Sequence, residues 1–187
     1  MKFVVFLVLL TLTSCASVSV PQVPGGPPPA APERQFAIYI GQRSLDQDLW
    51  SPVEDQGVFG IEYAQESTNS YVGWEVGLTG STDDNGPFTG STGELYAGIR
   101  KSFGNDSVRP YIGGGIAFIN AEAEAGSVSE DDSSVAAYLH GGLQFLVSPT
   151  FFLAIDIRGL FGSDISIAGV DGDADYGQAA LAFGWRF

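Results

Sequence analysis

From Gln35 to Phe187, apolar side chains recur at every second position in eight separate runs. A period of two is that of a half-buried strand, and no helical period competes with it. In "WEVGLT", Trp74, Val76 and Leu78 share one face while Glu75, Gly77 and Thr79 share the other. No unbroken apolar run reaches the roughly 20 residues of a transmembrane helix. A chain patterned in this way builds its core, or crosses a membrane, with strands.

The runs predict strands at 35–43, 57–65, 70–79, 92–103, 109–119, 134–147, 151–161 and 176–187. Their connections alternate in length. "SLDQDLWSPVED", "GSTDDNGPFTGS", "NAEAEAGSVSEDD" and "GSDISIAGVDGDA" are long, whereas "ESTN", "GNDSV" and "SPT" are short. Tilted strands of about 9–11 residues, with short turns on one rim and long loops on the other, are the anatomy of an outer-membrane barrel. The expected fold is all-β: an eight-stranded antiparallel up-and-down transmembrane β-barrel with short periplasmic turns and long acidic extracellular loops. Both barrel termini then lie on the periplasmic side.

Periodicity alone does not say which face points inward. A soluble lipocalin-like barrel would hold the apolar face inside and present a charged exterior. Here the second face carries Gly, Ala and Tyr with a few charges of both signs. These are Glu62, Glu75, Glu94 and Asp156 against Arg43, Arg100, Arg158 and Arg186. Charged residues make up 16% of the chain, below the roughly 25% of a soluble domain. That face suits a packed lumen in which charges pair. On the lipid side, Phe183, Trp185 and Phe187 would join Phe103, Phe145 and Phe151 in an aromatic girdle at the periplasmic interface.

Eight strands enclose an interior just filled by side chains, so the expectation is a lumen plugged by ion pairs. Its polar cluster is Glu62, Glu75, Arg100, His140, Asp156 and Arg158. With the turn after the second strand centred near Thr68 and Asn69, Glu62 would face Glu75 directly. Arg100 is then the nearest cation, and Arg158 reaches across. His140 is the only histidine. Nucleophilic catalysis needs a nucleophile within reach of its base, and no serine lies beside His140 on its strand. No catalytic residue, cofactor or metal site is expected, and Cys/His metal spacing is absent.

The net charge is -14. Phosphate binding needs clustered Lys and Arg, so nucleic acid is not an expected partner. The long loops hold 15 acids and neither Lys nor Arg. Such a field repels anionic surfaces and recruits divalent cations, which could bridge the loops to lipopolysaccharide phosphates. "DGDAD" (171–175) resembles a calcium loop only faintly, lacking its Gly and closing Glu.

The first residues, "MKFVVFLVLLTLTSC", set a lysine before an apolar stretch, as a secretory signal peptide does. Leu12-Thr13-Ser14-Cys15 resembles a bacterial lipobox, which implies acylation of Cys15, the only cysteine. Ala16 after it implies sorting to the outer membrane. A Pro-rich stretch follows and reads as an extended tether. The expected division is a lipoprotein signal peptide at 1–14, the lipidated Cys and tether at 15–34, and the barrel at 35–187.

"RPYIGGGIAF" (109–118) and "HGGLQFLVSPTFFLAIDIRGLFG" (140–162) resemble strands of outer-membrane β-barrel domains of the OmpA/opacity-protein type. The C-terminal aromatics Trp185 and Phe187 resemble the signal read by the barrel-assembly machinery. The resemblance covers residues 35–187 and implies a non-enzymatic structural or surface-interaction role. A lipobox departs from most such proteins. Three other readings stay open: a small-solute channel, a lipid A-modifying barrel enzyme using His140, and a lipid-tethered soluble ligand binder.

Overall fold

The computed structural model describes residues 33–66, 72–104, 107–126, 128–167 and 169–187. The signal, the lipobox Cys15 and nearly all of the tether lie outside the described residues. Strands β1 (Glu33–Leu45), β2 (Asp55–Glu66), β3 (Gly73–Asn85), β4 (Phe88–Ser102), β5 (Val108–Ala125), β6 (Val128–Leu146), β7 (Phe151–Phe161) and β10 (Tyr176–Arg186) close into one barrel. All neighbours are antiparallel, and β10 closes the ring against β1. A one-turn helix, α1 (Gln47–Trp50), and a small hairpin of β8 (Ile165–Ile167) and β9 (Val170–Gly172) lie at the end opposite the termini.

The pairing fixes the shape. From Ile38 the partners run through Ile61, Leu78, Leu95, Phe118 and Val135, and the ladder returns to β1 10 residues beyond its start. With spacings of about 3.3 Å along a strand and 4.8 Å between strands, that offset inclines the strands by about 40°.

The alternation now has a direction. Ile116 and Ile157 are each 66% exposed, whereas Glu62 is 2% exposed and Arg158 also 2%. The apolar face is outside, so a soluble barrel is excluded on physical grounds: water would face a ring of Ile, Leu and Phe. From Phe145 to Val135 the outward face of β6 stays free of charge. Those ten steps at about 40° rise about 25 Å, the height of the apolar band of a membrane barrel.

The terminal rim carries the aromatics expected there. Trp185 stacks on Phe36 and meets Phe151 edge-on, and Tyr63 contacts Trp74 and Phe187. Phe187 is not frayed. Its N–H donates to the Arg34 carbonyl at 3.0 Å, and its carbonyl accepts from Arg34.

Two of the four expected long loops are instead strand. β3 and β4 continue to a tight turn at Gly86, and β5 and β6 to one at Gly126, both glycines having positive φ. Asp83, Asp84, Glu122, Glu124, Glu130, Asp131 and Asp132 therefore stand on a four-stranded sheet rising above the band. The barrel ladder supplies the pairing that their weak strand propensity would not. Of the predicted third strand, 70–79, residues 70 and 71 lie outside the described residues, and strand is described from Gly73. The sixth ends at Leu146, short of Val147.

Candidate functional site

The interior is filled by charges and tyrosines. Glu62, Glu75, Glu94 and Asp156 are each at most 3% exposed, as are Arg43, Arg100, Arg158 and His140. Glu62 accepts hydrogen bonds from Arg100 (2.7 Å), Tyr39 (3.0 Å) and Tyr96 (2.9 Å). Arg158 bridges Glu62 and Glu94 at 3.6 and 3.4 Å. Arg43 donates to Glu94, Thr79, Thr92 and Gln178, and Tyr176 donates to Glu94 at 2.6 Å. His140 lies between Glu75 (2.9 Å) and Asp156 (2.9 Å), which also accept from Tyr138 and Tyr111. Every acid of the cluster thus meets an arginine or His140, and a tyrosine hydroxyl. The guanidinium planes of Arg43, Arg100 and Arg158 lie over Tyr176, Tyr111 and Tyr96 at 3.7–3.9 Å, where cation–π attraction adds to the pairing.

The six expected cluster residues come together, with one correction of register. β2 pairs with β3 so that Glu62 opposes Gly77 and Ala64 opposes Glu75. The two acids are diagonal neighbours, two residues off the expected alignment, and Arg100 and His140 separate them electrostatically. Arg186, counted with the lumen, sits instead at the terminal rim, where it shares Glu33 with Arg109. Arg43, Glu94 and the five tyrosines belong to the cluster as well. The signal for them was in the strands: Tyr39, Tyr96, Tyr111, Tyr138 and Tyr176 all fall on the polar face.

Glycines make room for these rings. A Cβ on Gly113 would meet His140 Nε2, and one on Gly142 would meet the Tyr111 ring. Gly113 in "IGGGI" and Gly142 in "LHGGL" are thus packing features of the lumen.

The lumen is closed at both ends. At the terminal rim, Phe152 and Leu146 pack with Tyr39 and Tyr111. At the distal rim, Trp50 is 1% exposed and donates to the Asp173 carbonyl at 2.9 Å. It packs with Leu45, Ile119, Leu160, Ile165 and Ile167. The distal segments are therefore an apolar lid as well as an acidic rim, because their sparse apolar residues fold inward over the barrel mouth. Several of the acids tie the lid down. Asp175 accepts from the backbone of Gly162 and Ser163. Asp132 accepts from the N–H groups of Ser166 (2.7 Å) and Ser133 (2.8 Å), which hold its carboxyl below the usual range.

Both ring nitrogens of His140 face carboxylates, and among the described residues no serine or threonine hydroxyl is a partner of its ring. A nucleophile–base pair is not formed there. Glu62, Glu75 and His140 bring possible metal-ligand atoms within 4.8 Å of one another. Arg100 and three tyrosine hydroxyls already occupy the two glutamates, so a dication would have to displace them.

A family model described as the outer membrane protein beta-barrel domain matches residues 8–187. No curated protein matches the chain in sequence. Among solved structures, the attachment invasion locus protein Ail of Yersinia pestis superposes with a TM-score of 0.59 at 19% identity, covering 83% of this chain and 98% of that one. OprG from Pseudomonas aeruginosa gives 0.59 at 13% identity, covering 85% and 97%. Neisserial surface protein A gives 0.57 at 15% identity, covering 83% and 97%. At these identities the likeness is one of fold.

Proposed function

Because the chain belongs to the outer-membrane protein β-barrel family, we propose that it is a closed, non-enzymatic barrel acting at the cell surface through its distal hairpins. The observation that carries this reading is the double closure of the lumen. Four acids, three arginines and His140 fill the middle, and an apolar lid covers the distal mouth. A conduit would need a continuous wet path. The short turns and both barrel termini face the periplasm, where Cys15 carries the lipid anchor. The barrel-assembly machinery reads Trp185 and Phe187 on the way to that state.

The distal hairpins then face outward, with acids and neither Lys nor Arg. Ail has been crystallised with a heparin analogue, sucrose octasulfate. A polysulfated partner does not suit this chain, since like charges repel. Its partners are cationic, or are lipopolysaccharide phosphates bridged by Mg²⁺ or Ca²⁺. The test is planar-bilayer recording of the refolded barrel. We expect no stepwise conductance; discrete single-channel events would overturn the closed-lumen reading.

A further inference from the structure

We propose that the outer wall of β4, β5 and β6 holds one phospholipid of the periplasmic leaflet, its acyl chain in a groove over Gly114 and its phosphate on Lys101. The reading rests on the sidedness proposed above, with the short turns in the periplasm. Around Gly114 the outward neighbours on these strands, Ile99, Ile112, Ile116 and Leu139, are large and apolar. The missing side chain at Gly114 leaves a groove of about 350 Å³ in the lipid-facing wall, bounded by Val72, Ile99, Ile112 and Leu139. Its lining is almost wholly apolar apart from one end.

That end is Lys101, which follows the buried Arg100 and so points outward. Lys101 is the only lysine among the described residues, and it stands on the lipid face. Each strand residue rises about 2.5 Å along the membrane normal at a tilt of about 40°. Lys101 therefore lies about 5 Å nearer the terminal rim than Ile99, and Phe103, 50% exposed, about 10 Å nearer. A lysine stem reaches from there to the interface. The groove runs the other way, past Ile112 and Gly114 toward Leu139 near the middle of the band. Cation at the interface, apolar channel toward the midplane: that order matches a phospholipid with its headgroup in the periplasm. It opposes a lipid of the outer leaflet, whose headgroup would meet the far end.

The experiment is native mass spectrometry of the full barrel released from vesicles holding equimolar phosphatidylethanolamine, phosphatidylglycerol and lipid A. Wild type should retain one phospholipid, enriched for phosphatidylglycerol. Lys101→Gln should lower its retention at least fivefold, and Lys101→Arg should restore it. Ile112→Trp, which fills the groove from a position already 49% exposed, should lower it similarly. A heat-dependent gel shift of each variant confirms folding. Equal adducts on wild type and both loss variants would overturn the site and leave the sidedness untouched. Retention of lipid A in preference would overturn the phospholipid assignment and the sidedness together.

Discussion

Replacing His140 by glutamine removes the group that Glu75 and Asp156 share. His140 lies 2.9 Å from both Glu75 and Asp156, and each acid is otherwise held by a tyrosine hydroxyl at 2.8 Å. Breaking a buried pair by deleting one partner costs about 3–5 kcal/mol. Here two charges are stranded. Each has an escape, because it can take a proton. That costs about 1.4 kcal/mol for every pH unit above the ordinary carboxyl range near 4, or about 4 kcal/mol at pH 7. The ceiling for the pair is therefore about 8 kcal/mol at pH 7 and about 3 kcal/mol at pH 5. We expect His140→Gln to lose about 6 kcal/mol at pH 7, and to recover at least half of that loss at pH 5. The sign follows from linkage: the stranded acids bind protons in the folded variant, so acid favours its folded state relative to wild type. The assay is urea unfolding in vesicles, followed by tryptophan fluorescence and gel mobility, with both proteins compared at each pH. The triple variant His140→Gln, Glu75→Gln, Asp156→Asn should lose far less, since no charge is stranded. A loss below about 1 kcal/mol at pH 7, with no recovery in acid, would show that water reaches these acids. It would refute the closed lumen.

Gly142→Val should abolish the heat-dependent gel shift, since its side chain collides with the Ile155 carbonyl and the Tyr111 ring. Gly177→Ala, whose Cβ meets nothing within 4 Å, should be neutral or stabilise by about 0.5 kcal/mol. Asp132→Asn should speed hydrogen exchange at the Ser166 amide at neutral pH. In wild type the same protection should persist above the ordinary carboxyl range and fade as pH falls below about 4, because the Ser166 and Ser133 N–H groups hold that carboxyl low. Exchange at Ser166 independent of both would remove Asp132 from the lid. Replacing Glu62 and Arg100 together by methionines should cost about 2–5 kcal/mol of unfolding stability, because the Tyr39 and Tyr96 hydroxyls and Arg158 lose an acceptor. The yield of barrel with a native gel shift should fall as well. An unchanged yield would refute a role for this pair in choosing the register.

The barrel was legible because period two carries both the strands and their faces. Phe183, Trp185 and Phe187 announce a lipid-facing edge, and Arg100, Arg158 and Asp156 fall on the opposite parity from Ile99, Ile157 and Ile155. Register was less legible. A turn centre misplaced by one position moves every cross-strand partner by two, which is how Glu62 came to oppose Glu75. The strand extensions were written in "NAEAEA", where Ala121, Ala123 and Ala125 alternate with Asn120, Glu122 and Glu124. Acidic content masks that signal, since Asp and Glu are depleted in strands and common in loops. The lid left little periodic trace. Trp50 follows Leu49 in a polar segment and Ile165 alternates with Ile167 over only three residues, and only the closed barrel mouth gives them a surface to cover.

A charged interior looks like a poor use of a small lumen, since apolar residues of similar volume stabilise as well. The membrane changes that balance. In water, a slip of one residue exposes the core and is rejected at once. In hydrocarbon, a barrel apolar on both faces would lose little by such a slip, because either face suits lipid. The lumen charges break that equivalence. Slipped by one, Arg158 would point into hydrocarbon at a cost of about 2–4 kcal/mol near the midplane and Arg100 at a smaller cost nearer the interface, and their acids would follow. The glycines act in the same direction, because only the native register sets Tyr111 over Gly142 and His140 over Gly113. On this argument the ion-paired lumen is what makes one of the two faces the inside. Closure to solutes follows from the same packing, leaving the distal hairpins as the part free to meet a partner.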